Sequence, residues 1–208
     1  MPWGLKLETD CTRIAVMEQV QDRELIMAVQ MQEPRAFDRL IQSYLPLVRQ
    51  ISGRFRVPTS DRDDIEQEIF LRVYRHLDRF NGHSRLSTWI ARIAINVCLN
   101  SRQRRRPELI SHDQDDLPIW EQLADDGPSP GDIFADKERS GHLSEEIDQL
   151  PTIYGLVLVL YHFNDMSYRE IGDLLQMPDG TVKSYLFRAR AMLRDRLTRR
   201  LTAEELSA

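Results

Sequence analysis

The stretch that decides the fold covers residues 167–200 and reads SYREIGDLLQMPDGTVKSYLFRARAMLRDRLTRR. Ser167 followed by Glu170 is typical of a helix start, because the two residues can satisfy each other's backbone N–H groups. Two apolar stripes at helical spacing follow, one on each side of a short break. The first stripe is Tyr168, Ile171, Leu174 and Leu175, and the second is Val182, Leu186, Ala189, Leu193 and Leu197. The stretch therefore predicts two helices joined by a tight turn.

The break between these helices carries its own turn signals. Pro178 disfavours helix at the residue before it, and Gly180 tolerates unusual backbone angles. Asp179 is suited to cap the second helix. A short helix, a turn and a second helix form a helix-turn-helix, whose second helix fits the major groove of DNA.

The second helix is strongly basic. From residue 180 to 200 one acid, Asp195, stands against seven basic residues: Lys183, Arg188, Arg190, Arg194, Arg196, Arg199 and Arg200. This charge favours DNA binding. The alternative is a solvated basic helix packed in a bundle. The motif alone indicates DNA binding and nothing more specific.

Length and composition narrow the class of protein. The 208 residues suit one large or two small domains, and 41% hydrophobic content suffices for packed cores. The net charge of −5 excludes a uniformly basic nucleic-acid coat. Cys11 and Cys98 fit no metal-ligand spacing, which indicates a reduced, cytoplasmic chain without disulfides. No stretch is apolar enough for a signal peptide or a membrane span, so no membrane insertion is expected.

Residues 61–80 predict a helix with an acidic front and an apolar stripe, Ile65, Ile69, Val73 and Leu77, that faces a core. Asp64 and Glu68 are four residues apart and share a face, with Gln67 alongside. Three interpretations compete. The acids can compensate the helix dipole in solvent, they can hold a metal ion in a nuclease, or they can dock on a protein. No third carboxylate or histidine at a telling spacing favours a metal, and these residues do not decide between docking and solvation.

A basic helix follows the turn at residues 81–84 and extends to residue 106. Arg85, Arg92 and Asn96 fall off its apolar stripe, and no acid lies between residues 84 and 107. Such a helix suits a nucleic-acid strand. A basic helix C-terminus favoured by the macrodipole is the alternative. That alternative accounts for the arginines at 102–106 but not for Arg85 or Arg92.

Residues 107–138 predict an acidic, largely extended linker, with ten acids against one lysine and four prolines. Trp120 is unexpected in a solvated linker, so its segment is expected to dock. The apolar run 153–163 suits either a buried helix or a strand. We predict helix, because one strand among so many helices would lack a partner. The predicted fold class is all-α, with two small helical domains joined by the linker.

The whole arrangement resembles an extracytoplasmic-function (ECF, group 4) sigma factor, the small two-domain initiation subunit of bacterial RNA polymerase. The motifs that carry the resemblance are DRDDIEQEIFLRVYRHLDRF at 61–80, STWIARIAINVCLN at 87–100, LSEEIDQLP at 143–151 and MSYREIGDLLQMPDGTVKSYLFRARAMLR at 166–194. The resemblance implies an N-terminal extension (1–21), a sigma region 2 domain (22–106), the acidic linker (107–138), a sigma region 4 domain (139–201) and a tail (202–208).

The resemblance also implies site residues. Those expected to bind core RNA polymerase, at its β′ clamp helices, are Asp61, Asp64, Gln67 and Glu68. Those expected to bind the −10 element are Asn81, His83, Ser84, Arg85, Trp89, Arg92 and Asn96. Those expected to enter the −35 major groove are Lys183, Ser184, Phe187 and Arg188. No catalytic residue, metal or cofactor is implied.

The partners that the resemblance implies are core polymerase (β′ clamp helices and β flap), promoter DNA and an anti-sigma factor. Flipping a base costs a few kcal/mol, so we expect the free protein to bind promoters weakly, and polymerase to hold both domains at the correct spacing. The alternative functions are a helix-turn-helix regulator that does not recruit polymerase and a metal-dependent DNA enzyme. Three residues depart from the family's usual pattern: Gly155 and Tyr161, where charged residues are frequent, and Tyr185, where a basic residue is common.

Overall fold

The structure, a computed structural model, describes residues 20–55, 57–105, 119–124 and 142–207. Within these ranges every regular element is helical, which confirms the all-α prediction. The elements are α1 (20–30), α2 (Ala36–Arg54), α3 (Thr59–His76) followed by a 3-10 turn (Leu77–Arg79), α4 (Leu86–Arg105), α5 (Ile119–Ala124), α6 (His142–Asp148), α7 (Thr152–His162), α8 (Tyr168–Leu175) and α9 (Asp179–Ser207).

Helices α1–α4 form the N-terminal half, in which α2, α3 and α4 pack against one another. Their apolar faces meet in one core that includes Leu40, Ile51, Ile69, Val73, Ile90 and Ile95, all fully buried. The stripe predicted for residues 65–77 is this core face of α3. Pro46 lies inside α2 without ending it. The helix α3 begins at Thr59, two residues before the predicted start.

Helices α6–α9 form the C-terminal half, which contains the helix-turn-helix. The Ser167–Glu170 capping box is present at the start of α8, with both reciprocal hydrogen bonds. The turn differs from the prediction: Gln176, not Gly180, takes the left-handed conformation, at φ 58°. Asp179 is the first residue of α9 rather than its cap. The glycine that the turn requires is Gly172, since a Cβ there would lie 2.7 Å from the Met177 carbonyl oxygen.

The apolar run at 152–162 is a helix, as predicted. Eight residues of this helix, α7, are buried, from Thr152 to Leu160 with the exception of Tyr154. It packs against α8, α9 and α2, and therefore forms the centre of the C-terminal half.

One part of the predicted linker, the segment around Trp120, is a docked helix rather than an extended chain. Residues Ile119–Ala124 form the short helix α5, which packs on α7 and buries Leu123 completely. Trp120 meets Tyr185 of α9 edge to face, with ring centroids 6.3 Å apart, so the segment docks as its tryptophan indicated. The rest of the linker, most of the N-terminal extension and Arg106 lie outside the described residues.

Two further properties of the described ranges bear on function. None of the helices is both long and apolar enough to cross a lipid bilayer. Within the same ranges, no group of three or more His, Cys, Asp or Glu side chains is arranged to hold a metal ion.

Candidate polymerase and nucleic-acid interfaces

The predicted polymerase-binding residues lie on one side of α3, and we call Asp61, Asp64, Gln67 and Glu68 the acidic face. Asp64 and Gln67 are exposed, and the other two are half-buried. The Glu68 Oε1 accepts a hydrogen bond from the Arg72 Nε at 2.8 Å. The neighbouring acid Glu66 points away from this face and pairs with Arg49 at 3.3 Å.

The acidic face continues into apolar surface that the sequence analysis missed. Leu71 and Tyr74 are 42% and 54% exposed, and they lie seven and ten residues after Asp64, on the same side of the helix. Leu71 and Tyr74 therefore add apolar area beside the acids that a protein partner could bury. The signal in the sequence was the helical spacing of Leu71 and Tyr74 from Asp64.

The predicted −10 residues lie in the turn before α4 and along α4 itself. The turn is shaped by Gly82, at φ 72°, and by a hydrogen bond from the His83 backbone N–H to the Asn81 Oδ1 at 3.1 Å. Asn81, His83, Ser84, Arg92 and Asn96 are exposed. Trp89 is half-buried against Phe80, with ring centroids 5.5 Å apart. The loop and α4 thus present polar groups beside an aromatic pair.

Arg85 differs from the other −10 residues, because the C-terminal half holds its side chain. Its Nη1 donates to the Asp165 carbonyl oxygen at 3.3 Å. Its Nε lies 3.5 Å from the Glu170 carboxylate of α8. The structure therefore does not place Arg85 on one open surface with Arg92 and Asn96.

A buried arginine joins the same two halves deeper in the molecule. Arg54 of α2 forms an ion pair with Asp148, and its Nη1 donates to the Ile147 carbonyl oxygen at 2.7 Å. Its Nε has no hydrogen-bond partner, and burial lowers the pKa of Arg54 to about 10. We call the contacts of Arg54 and Arg85 with the C-terminal half the interdomain contact.

Gly155 is explained by the interdomain contact. A Cβ at this position would lie 3.1 Å from the Arg54 Nη1 and 3.2 Å from its Cδ. Residue 155 is buried in the interface, where a longer side chain would displace Arg54. The absence of a side chain here therefore makes room for the buried arginine.

The predicted −35 residues lie together on α9. Lys183, Ser184, Phe187 and Arg188 are all exposed, and Phe187 is 74% exposed. The Ser184 hydroxyl donates to the Gly180 carbonyl oxygen at 2.9 Å. This surface is open to a ligand in the free chain.

Tyr185 and two arginines of α9 are directed elsewhere. The ring of Tyr185 stacks on Tyr154 of α7 at 4.9 Å and faces the linker helix rather than the −35 surface. Arg196 pairs with Glu146 at 2.9 Å, and Arg200 with Glu145 at 2.6 Å. These arginines hold α6 against α9, so the basic count of the helix overstates its charge toward DNA.

Two sigma-factor family models match the chain. Sigma-70 region 2 matches residues 40–108, and sigma-70 region 4 matches residues 141–193. The first match covers α3 and α4 with the acidic face and the −10 residues. The second covers α6–α8 and the part of α9 that carries the −35 residues.

Curated relatives extend the match across most of the chain. It is 30% identical to the ECF RNA polymerase sigma factor SigW of Bacillus subtilis, over 84% of this chain and 96% of that protein. It is 34% identical to the RNA polymerase sigma-H factor of Pseudomonas aeruginosa, over 84% and 93%. It is 33% identical to the ECF RNA polymerase sigma-E factor of Escherichia coli strain K12, over 83% and 92%.

Solved structures share the fold. CnrH, in complex with the cytosolic domain of CnrY, superposes with a TM-score of 0.56 at 22% identity, over 85% of this chain and 97% of that one. The sigma factor RpoE of Bartonella quintana, in complex with the anti-sigma factor NepR, gives 0.58 at 19% identity, over 79% and 98%. The chain contains both sigma regions in order, and its relatives align with it along most of their length. The chain therefore belongs to the ECF RNA polymerase sigma factors, a regulatory and non-catalytic family.

Proposed function

We propose that this chain binds core RNA polymerase, recognises the −35 and −10 elements of promoters, and directs transcription initiation, including opening of the −10 region. The observation that carries the proposal is the presence of both sigma regions on one chain. A helix-turn-helix regulator would account for region 4 alone. Opening the −10 region separates strands without covalent chemistry, so the chain has no catalytic role and needs no cofactor.

The acidic face is the proposed docking site for the β′ clamp helices. Its acids suit a basic partner, and Leu71 and Tyr74 add apolar area that solvent alone would not favour. Charged residues steer the encounter, while the apolar residues supply affinity once water is displaced. The proposed contact set is Asp61, Asp64, Gln67 and Glu68, with Leu71 and Tyr74 added.

The DNA contacts are proposed on two separate surfaces. The −10 set is Asn81, His83, Ser84, Arg85, Trp89, Arg92 and Asn96, and the −35 set is Lys183, Ser184, Phe187 and Arg188. The proposed domain bounds are 22–106 for region 2 and 139–201 for region 4, with the acidic linker at 107–138. The acidic residues of the linker would repel DNA and suit a cationic channel in polymerase.

The interdomain contact supports weak promoter binding by the free chain. Arg85 is engaged by Asp165 and Glu170, so the −10 set is incomplete until the halves separate. Polymerase that holds the halves apart at promoter spacing would convert two weak contacts into one strong contact through effective concentration. The free energy that separates the two halves would come from the contacts of the chain with polymerase.

An anti-sigma factor and the polymerase β flap are further proposed partners. CnrH is solved with the cytosolic domain of CnrY and the Bartonella sigma factor with NepR, and the same kind of partner is proposed here. The proposed location is the cytoplasm, where core polymerase acts.

Run-off transcription tests the proposed function. Core polymerase is incubated with and without the full chain on a pool of promoter fragments, and binding to core polymerase is measured in parallel by pull-down. We expect defined transcripts only when the chain is present, with start sites that reveal its promoter.

Variants of the acidic face separate the sigma-factor function from that of a DNA-binding regulator. The double variant Asp64→Asn/Glu68→Gln should lose polymerase binding at least tenfold, because two charges leave the docking surface, and keep its binding to −35 duplex. Glu24→Gln is the matched control: it removes an exposed acid from α1, outside the acidic face, and should leave polymerase binding unchanged. If the wild-type chain does not bind polymerase, the alternative function, a helix-turn-helix regulator that does not recruit polymerase, would be favoured.

A further inference from the structure

A ladder of two tyrosines and two cations lies beside the −35 surface. The rings of Tyr161 and Tyr168 stack with centroids 5.0 Å apart and planes 8° from parallel. The Lys183 Nζ lies 5.5 Å from the Tyr168 centroid, and the Arg190 Cζ lies 5.4 Å from the Tyr161 centroid. The ladder therefore joins the end of α7, the start of α8 and the recognition helix α9.

Arg190 is held from a second side by His162. The Arg190 Nε donates to the His162 Nε2 at 3.1 Å, and the Arg190 Nη2 lies 3.0 Å from the same nitrogen. Partial burial and the charge of Arg190 lower the pKa of His162, which keeps its ring neutral and able to accept. Arg190 is nevertheless exposed, so N–H groups that His162 does not accept can reach a ligand.

The position of Arg190 on α9 places it in line with the −35 residues. It lies seven residues after Lys183, two helical turns further on the same side, and Phe187 stands between them. Residues near the N-terminus of a recognition helix reach base edges, whereas later residues and the preceding helix lie near the backbone. The later position of Arg190 along α9 therefore suits a contact with the DNA backbone rather than with a base edge.

We propose that Arg190 is a DNA-phosphate contact and that Tyr161 and Tyr168 are positioning residues that hold Arg190 and Lys183 toward the −35 DNA. Free lysine and arginine side chains lose much rotamer freedom on binding. The tyrosine stack, by cation–π contact, fixes both cations before DNA arrives. This inference rests on the proposed −35 function and assigns a role to Tyr161, at which charged residues are frequent in the family.

The test is the salt dependence of DNA binding by the full chain, measured by fluorescence anisotropy on a labelled duplex selected from a random-sequence pool. Loss of one phosphate contact lowers the slope of log K against log salt by about 1. We expect Arg190→Ala and Tyr161→Leu each to lower the slope by about 1. The double variant Arg190→Ala/Tyr161→Leu should bind no more weakly than Arg190→Ala, because the Tyr161 ring contacts Arg190, whereas Lys183 lies over Tyr168.

Conservative and distant variants serve as controls. Tyr161→Phe keeps the ring and should leave the slope unchanged, as should Arg199→Ala, which removes an exposed cation further along α9. An unchanged slope in Arg190→Ala would overturn the phosphate contact. Additive losses in the double variant, or a Tyr161→Leu variant that loses thermal stability with an unchanged slope, would make the tyrosines a packing element only.

Measurements on the wild-type chain and these variants show whether the proposed function or this inference fails. If the wild-type chain yields no transcripts with core polymerase, the proposed function fails while the salt slopes can still be measured. If transcripts form but Arg190→Ala and Tyr161→Leu leave the slope unchanged, only the inference fails.

Discussion

The two proposed DNA surfaces differ in how freely they are reached in the free chain. On the −35 surface Lys183, Ser184, Phe187 and Arg188 are all exposed. On the −10 surface Arg85 is bonded to the C-terminal half. The surface proposed for the −35 duplex is thus open, and the surface proposed for the −10 element is partly covered.

This difference separates two tasks. Duplex recognition needs a groove-sized helix and cations, which α9 presents without rearrangement. Capture of a flipped base must offset the free energy of unstacking that base. The proposed −10 surface is therefore useful only when polymerase is present. If Arg85 belongs to the −10 surface as proposed, its contacts with the neighbouring half should weaken binding of isolated single strands by the free chain.

The largest expected effect comes from breaking the buried ion pair of the interdomain contact. Asp148→Asn leaves the Arg54 charge buried without its partner, a change that typically costs about 3–5 kcal/mol. Separation of the halves relieves that cost, because Arg54 regains water. We expect a clear increase in the distance between the two halves, measured by pulsed EPR between one spin label on each half.

The double variant Arg54→Met/Asp148→Asn is the control for this prediction. It removes the buried charge, and the Ile147 carbonyl still accepts from the Leu150 N–H at 3.1 Å, so the halves should close again. A single variant that stays closed would show that the ion pair does not hold them together.

A smaller effect is expected from releasing Arg85. Glu170→Gln removes the charge that faces Arg85 but keeps an oxygen for the capping box of α8. A half-exposed pair of this kind contributes at most about 1 kcal/mol. The free chain should therefore bind the single-stranded −10 sequence up to about fivefold more tightly, as measured by anisotropy. Arg85→Ala in the same background should abolish the gain, and a gain that persists would assign it to another residue.

The smallest effect is expected at Gly155. Replacement by alanine should stabilise helix α7 by about 1 kcal/mol, because alanine has the higher helix propensity. The new Cβ would, however, lie 3.1 Å from the Arg54 Nη1 and crowd that side chain. We expect an unchanged or higher melting temperature for the C-terminal half and a broader distribution of interdomain distances. A narrower distribution would mean that Arg54 accommodates the methyl group and that the interface prefers alanine.

Much of the fold could be predicted from local sequence patterns. The capping box, the apolar stripes of α3 and α9 and the all-helical class depend on spacings within one helix, and the structure bears them out. The turn was harder. Gly180 has the more permissive backbone, yet Gln176 takes the left-handed position, because Gly172 allows the Met177 carbonyl to approach closely.

Contacts between distant segments could not be predicted. Arg54 and Asp148 are 94 residues apart in the sequence, and nothing in either local sequence marks them as partners. The residues at positions 155, 161 and 185 are likewise explained only by such contacts. Gly155 makes room for Arg54, Tyr161 stacks on Tyr168, and Tyr185 packs on Tyr154 and faces the linker helix.

The most direct test of the account is the distance between the halves, measured by pulsed EPR before and after core RNA polymerase is added. Spin labels at Gln42→Cys and Asp173→Cys, both exposed positions, are used in a chain with Cys11→Ala and Cys98→Ala. We expect one short distance in the free chain and a longer one in the complex. An unchanged distance on polymerase binding, or a long distance in the free chain, would contradict it.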